Sequence, residues 1–115
     1  MMMIHGISQS TGVERQLHFV PVREGIILMM CDHKDETKRH RVLLQPDELV
    51  GPVMERSPGE VTLEGKSPSL GNKKLLDLEI KRNEVLLKIR SETETESDVA
   101  VGLDDFQDAL EKAIG

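Results

Sequence analysis

Few residues in this chain are equipped for chemistry. Cys31, Asp32 and His33 adjoin one another, with His18 and His40 nearby in sequence, and a thiolate beside imidazoles is the raw material of a zinc site or a cysteine nucleophile. The spacing argues against both. Cys31 and His33 lie two apart on a predicted strand, and the hairpin pairing expected below sets Cys31 opposite His18, facing the core. There is no paired-cysteine motif and no His-Glu-x-x-His pattern. A core thiol and a partly buried imidazole are the plainer reading. No glycine-rich phosphate loop, nucleophile elbow or carboxylate pair with a reason to hold separated pKa values occurs. The expectation is therefore a protein that is not an enzyme, with no metal and no cofactor.

Three surfaces remain as binding candidates. Lys74, Lys81, Arg82, Lys88 and Arg90 form the one basic cluster that strand geometry gathers, and they suit either phosphate contact or a solvated face, since Asp77 falls opposite Lys88. Phe19, Ile26, Leu28 and Met30 make an apolar set that fits a protein interface or burial within the domain. Ser91 to Ser97, with three glutamates among serines and threonines, reads as a modification target, a mobile acidic arm or a solvated connection that protects a sheet edge.

Composition narrows the setting. At 115 residues the chain allows one compact domain, taken as 1–115. Phe19 and Phe106 are its only aromatics, so the core must be aliphatic and base-stacking platforms are scarce. A single cysteine excludes an internal disulfide and suits a reducing, cytoplasmic setting. No apolar run approaches membrane-spanning length, and Met1 to Ile4 is too short for a signal core. The net charge of -6 is uneven: residues 61–90 carry seven basic and four acidic groups, residues 91–115 one and eight.

The elements that must position these residues are mostly strands. In Lys74 to Arg90 the alternation is clean: pairing Lys81 with Glu84 sets Ile80 opposite Val85, Leu78 opposite Leu87 and Leu76 opposite Ile89 on one face. Asp77, Glu79, Lys81, Glu84, Leu86, Lys88 and Arg90 share the other. An earlier hairpin is expected around Glu24-Gly25, with Arg23 paired to Ile26. That aligns Val22 with Ile27, Val20 with Met29 and His18 with Cys31, and leaves Phe19, Pro21, Ile26, Leu28 and Met30 on a second apolar face. Further strands are predicted at Met2 to Ser8, Arg39 to Gln45, Glu60 to Lys66 and Asp98 to Gly102, and Asp32 to Lys38 reads as a charged loop. A short helix should start at Pro46 and stop at Gly51-Pro52. A second, from about Asp104 to Ile114, buries Phe106 and Leu110.

The halves match in order. Val20-Pro-Val22 aligns with Leu78-Glu-Ile80, and Ile27-Leu-Met29 with Val85-Leu-Leu87. Val42, Leu44, Leu49 and Val53 align with Val99, Val101, Phe106 and Leu110. Repeat one spans about 1–56 and repeat two about 60–115. The expected fold class is α+β: an antiparallel sheet built from two strand-strand-strand-strand-helix repeats with both helices on one face. The spare apolar face of the first hairpin makes a homodimer or a docked partner an expectation.

The terminal Val99-Ala-Val-Gly-Leu-Asp-Asp-Phe-Gln-Asp-Ala-Leu-Glu-Lys-Ala-Ile114 follows a four-strand unit, and it resembles the end of the positive-cofactor-four coactivator family. Whirly and Pur-alpha proteins share that general unit. The likeness covers about the last forty residues. It implies single-stranded DNA or RNA binding on the face away from the helices, often in dimers. On matching positions it would use Lys81, Lys88 and Arg90, with Arg23 in the first unit.

Overall fold

The computed structural model describes residues 2–32, 34, 39–55 and 58–114. Most of the predicted loop at Asp32 to Lys38, His33 included, therefore lies outside the described residues. Strands β1 (Met2–Ile7), β2 (Glu14–Val22), β3 (Gly25–Asp32) and β4 (Arg39–Leu44) are followed by helix α1 (Pro46–Met54). Strands β5 (Gly59–Lys66), β6 (Lys73–Ile80), β7 (Glu84–Arg90) and β8 (Thr95–Gly102) are followed by α2 (Leu103–Ile114). The eight strands pair in sequence order, all antiparallel, and β8 returns to β1 to close a barrel.

This closure corrects the expected open α+β sheet with helices on one face. Each four-strand half turns one apolar face toward the other half, and the two faces share a core with both helices. Within a half, neighbouring strands pair over six to eight positions, but among the described residues the strands of the two halves pair at only two rungs, Leu43 with Lys66 and Ile7 with Ala100. A glycine adjoins each rung. A Cβ on Gly6 would lie 2.3 Å from the Ala100 carbonyl oxygen, and one on Gly65 would lie 2.4 Å from that of Leu43. Only a residue without a side chain lets the strands approach so closely.

The same pair of contacts exposes the internal repeat. Residues n and n+59 correspond from β1 through β3: Gly6 with Gly65, Leu17 with Leu76, Phe19 with Leu78, Leu28 with Leu87. The predicted match of Val20 to Leu78 is thus one residue off. Across β4 and α1 the offset becomes 57, and Leu49 and Val53 answer to Phe106 and Leu110, all four fully buried. Phe19 and Phe106, one from each half, meet edge to face with ring centroids 5.1 Å apart, a favoured aromatic geometry at the centre of the core.

The hairpin of β6 and β7 has the register its alternation predicts, with Ile80 opposite Val85 and Asp77 opposite Lys88. The β2–β3 hairpin does not. Val22 pairs with Gly25, so Arg23-Glu24 forms the turn and Val20 faces Ile27. Gly25 serves as a strand residue whose α-carbon rests against the Leu44 carbonyl, where a Cβ would be 2.3 Å away. Helix α1 also runs past its predicted stop, with Pro52 inside it. The ring removes one backbone donor, and burial of Leu49 and Val53 one turn apart on the core side keeps the helix in place.

Both helices sit at the end of the barrel where β4 and β8 finish. The Leu103 amide donates to the Asn83 carbonyl and the Gln45 side chain to the Glu24 carbonyl, so each helix start is tied to a hairpin turn. Among the described residues, no helix is long and apolar enough to cross a membrane.

Candidate binding groove on the outer face

At the end of the barrel away from the helices, charged side chains are drawn into ion pairs. Arg15 Nε lies 2.9 Å from Asp32 Oδ1, and its Nη1 donates to the Asp98 carbonyl at 2.7 Å. Lys74, in the same alternating set as Leu76 and Leu78, lies 2.7 Å from Glu96, which His40 approaches to 3.5 Å.

Asp98 is the centre of this polar region. The sequence Ser8-Gln9-Ser10-Thr11-Gly12 folds over it: the Ser8 and Ser10 hydroxyls donate to Oδ1 at 2.8 and 2.6 Å, and the Gln9 and Ser10 amides donate to Oδ2 at 2.9 and 3.2 Å. Gly12, at φ +75°, completes the turn. Burial works to raise the Asp98 pKa, but the two hydroxyls and two amides outweigh it and hold the carboxyl below its ordinary range. No sequence pattern marked Asp98 as special. Its signal is the serine-rich loop ninety residues earlier, which needs a carboxylate to satisfy it.

Beside Asp98 an open groove of about 750 Å³ runs over the outer face of β5 to β8, lined by Gln9, Ser10, Glu60, Thr62, Asp77, Glu79, Leu86, Lys88 and Asp98. Two of its carboxylates are satisfied within the protein. Asp77 accepts from Arg90 Nε at 2.6 Å and from the Thr62 hydroxyl at 2.7 Å. Although burial raises the Asp77 pKa, Arg90, Thr62 and Lys88 together lower it. The other two groove carboxylates differ. Glu60 stands directly opposite Glu79, and neither has an ion-pair partner among the described residues. Leu86 flanks Glu79 on the next strand. Like charges across a strand pair are unfavourable, so this juxtaposition is a site where a cation would be stabilised.

The predicted basic surface is not assembled. Lys88 stands between Asp77 and Asp98 on its two neighbouring strands, and Arg90 is engaged by Asp77. Lys74 is turned to the far end and paired with Glu96. Lys81 and Arg82 belong to the β6–β7 turn, where Lys81 lies 3.9 Å from Glu84, and Arg23 belongs to the β2–β3 turn in the other half. The predicted apolar interface is likewise corrected. Phe19, Ile26, Leu28 and Met30 are each 0 % exposed, because the sheet closes with this set inward. The outward set of that hairpin is Val20, Val22, Ile27 and Met29, all partly exposed.

Cys31 is a buried thiol, but it faces Gln16, not His18, with Sγ 3.8 Å from Gln16 Oε1. Among the described residues no group of three or more His, Cys, Asp or Glu is arranged to hold a metal ion. In the Ser91 to Ser97 segment, Ser91 caps its own turn by accepting from the amides of Thr93 and Glu94, and Thr95 to Ser97 already belong to β8. Comparison of the chain with protein-family models, with curated proteins and with solved structures gives no match.

Proposed function

We propose that the protein is a non-enzymatic binding module that receives a basic, extended segment of a partner protein in the groove over β5 to β8. The carrying observation is Glu60 opposite Glu79, two carboxylates facing each other with no cation partner among the described residues, with Leu86 alongside to contact an aliphatic stem. A lysine or arginine side chain offers both an apolar stem and a charged head, which is the combination this wall of the groove lacks. Phosphate is a poorer match, because exposed Lys88 has a carboxylate opposite it on each neighbouring strand and the overall charge is -6. The single buried thiol suits a reducing interior, and we place the module in the cytoplasm.

Titrating a labelled lysine-rich peptide and a labelled single-stranded oligonucleotide at low salt, side by side, tests this reading. The peptide should bind, lose affinity as salt rises, and bind at least about tenfold more weakly to Glu79→Lys, the scale of a lost charge pair of roughly 1.4 kcal/mol. Oligonucleotide binding with no peptide binding would reverse the assignment in favour of the nucleic-acid reading.

A further inference from the structure

The chain contains the Asp98-binding loop twice. Ser67-Pro68-Ser69-Leu70-Gly71-Asn72 repeats Ser8 to Val13 in sequence and in conformation. Ser67 N donates to Asn72 O at 2.8 Å as Ser8 N does to Val13 O at 2.9 Å, and Gly71 N donates to Ser67 O at 2.9 Å as Gly12 N does to Ser8 O. Gly71 has φ +76° against +75° for Gly12. Leu70 N donates to Ser67 Oγ at 3.3 Å as Thr11 N does to Ser8 Oγ at 3.2 Å.

What the loops hold is not repeated. Asp98 lies two residues before the β1–β8 rung at Ala100, and Arg41 lies two residues before the β4–β5 rung at Leu43, so Arg41 is the counterpart of Asp98 at the same offset of 57. A carboxylate in one half is thus replaced by a guanidinium in the other. Likewise Lys66 stands where the first half has Ile7. Arg41 and Lys66 make no ion pair among the described residues. Lys74, the counterpart of Arg15, is already taken by Glu96.

The hydroxyls of the two loops differ in the same way. Ser8 and Ser10 both donate to Asp98. Ser67 and Ser69 are 3.4 Å apart, and apart from the Leu70 amide that Ser67 accepts, neither hydroxyl meets another group among the described residues, so at most one of their two protons is used within the protein, although Ser67 is just 6 % exposed. We propose that loop 67–72 is an oxyanion site, filled from solution, in which the Ser67 and Ser69 hydroxyls and the Ser69 amide take the place they have around Asp98 in the duplicate, with Arg41 and Lys66 as counter-charges. Two cations where the duplicate supplies one anion favour a dianion, so phosphate is the expected ligand over a carboxylate. Pro68 offers no amide, so one donor fewer is available than at Gln9. The site is separate from the groove and does not depend on what the groove binds.

The test is an amide-resolved NMR titration of the full chain with inorganic phosphate, and separately with acetate, at constant ionic strength. Phosphate should move the Ser69 and Leu70 amides saturably and more tightly than acetate does, and Arg41→Gln and Lys66→Gln should each weaken it at least about fivefold. Arg41→Asp restores the carboxylate of the duplicate, and it should abolish phosphate binding while shifting the Ser67 and Ser69 amides in the absence of any ligand. Unchanged affinity in Arg41→Gln, tighter binding of acetate, or diffuse unsaturable shifts over every cationic residue would each overturn the proposal. Spectra of the unliganded variants check that each retains the fold.

Discussion

Gly65→Ala is expected to destabilise the protein by about 2–3 kcal/mol, read as a fall in the midpoint of chemical or thermal unfolding. The sign is the informative part. At an ordinary strand position alanine is better than glycine by roughly 0.5–1 kcal/mol, because glycine loses more conformational freedom on folding. Here the new methyl would lie 2.4 Å from the Leu43 carbonyl oxygen, 2.8 Å from a Val42 methyl and 2.9 Å from a Leu44 methyl. The first of these is backbone and cannot swing away, so β4 and β5 must part at the one rung that joins them. Gly6→Ala should behave alike, with the Ala100 carbonyl in the place of Leu43. A neutral or stabilising result at both positions would mean that the halves are not held together at these seams.

Asp98→Ala should cost about 3 kcal/mol at neutral pH, since it strands two hydroxyls, two amides and part of the Arg15 guanidinium in a largely buried place. Its pH dependence separates a charge effect from simple loss of packing. The folded-state pKa of Asp98 lies below the unfolded value, which is about 3.9 for an aspartate. Its contribution is therefore complete above roughly pH 4 and disappears as pH falls through the lower folded-state pKa. Unfolding midpoints of wild type and Asp98→Asn should accordingly converge in acid and separate toward neutrality. Asp77, shifted in the same direction, leaves a residual slope in both proteins. Parallel curves from neutral pH down to the acid limit would show that the carboxylate charge is not what the loop recognises.

The β6–β7 hairpin was legible because one of its faces is charged: only the set Leu76, Leu78, Ile80, Val85, Leu87 and Ile89 could turn inward, and a slip of register would have exposed all of it. The β2–β3 hairpin offered no such choice. Both of its alternating sets are apolar, so patterning could not tell Phe19, Ile26 and Leu28 from Val20, Ile27 and Met29, and the larger set proved to be the core. Barrel closure was invisible for a different reason. It rests on contacts between strands remote in sequence, and Gly6 and Gly65 look like ordinary strand glycines until the opposing carbonyl is in place. The serine loops carried a signal that aligning the halves on their turns passed over. Ser8-x-Ser10-x-Gly12 and Ser67-x-Ser69-x-Gly71 set the n+59 correspondence directly, whereas the hairpins, aligned on their turns, set it one residue wrong.

The two seams are equivalent in space and unequal in chain connectivity. The rung from Leu43 to Lys66 spans 23 residues of chain and that from Ile7 to Ala100 spans 93. By the logarithmic growth of loop entropy, drawing the distant pair together costs roughly 1.2 kcal/mol more. Asp98 offsets that cost, because Ser8, Gln9, Ser10 and Arg15 of the first half all bond to it across the β1–β8 seam, and no such set joins β4 to loop 67–72 among the described residues. Once that carboxylate is removed the barrel has a preferred side on which to open: in Asp98→Ala, amide exchange should be faster at Gly6 and Ala100 than at Gly65 and Leu43. Duplication of the architecture has not duplicated the means of closing it, because the peptide chain ties down one junction and a buried carboxylate the other.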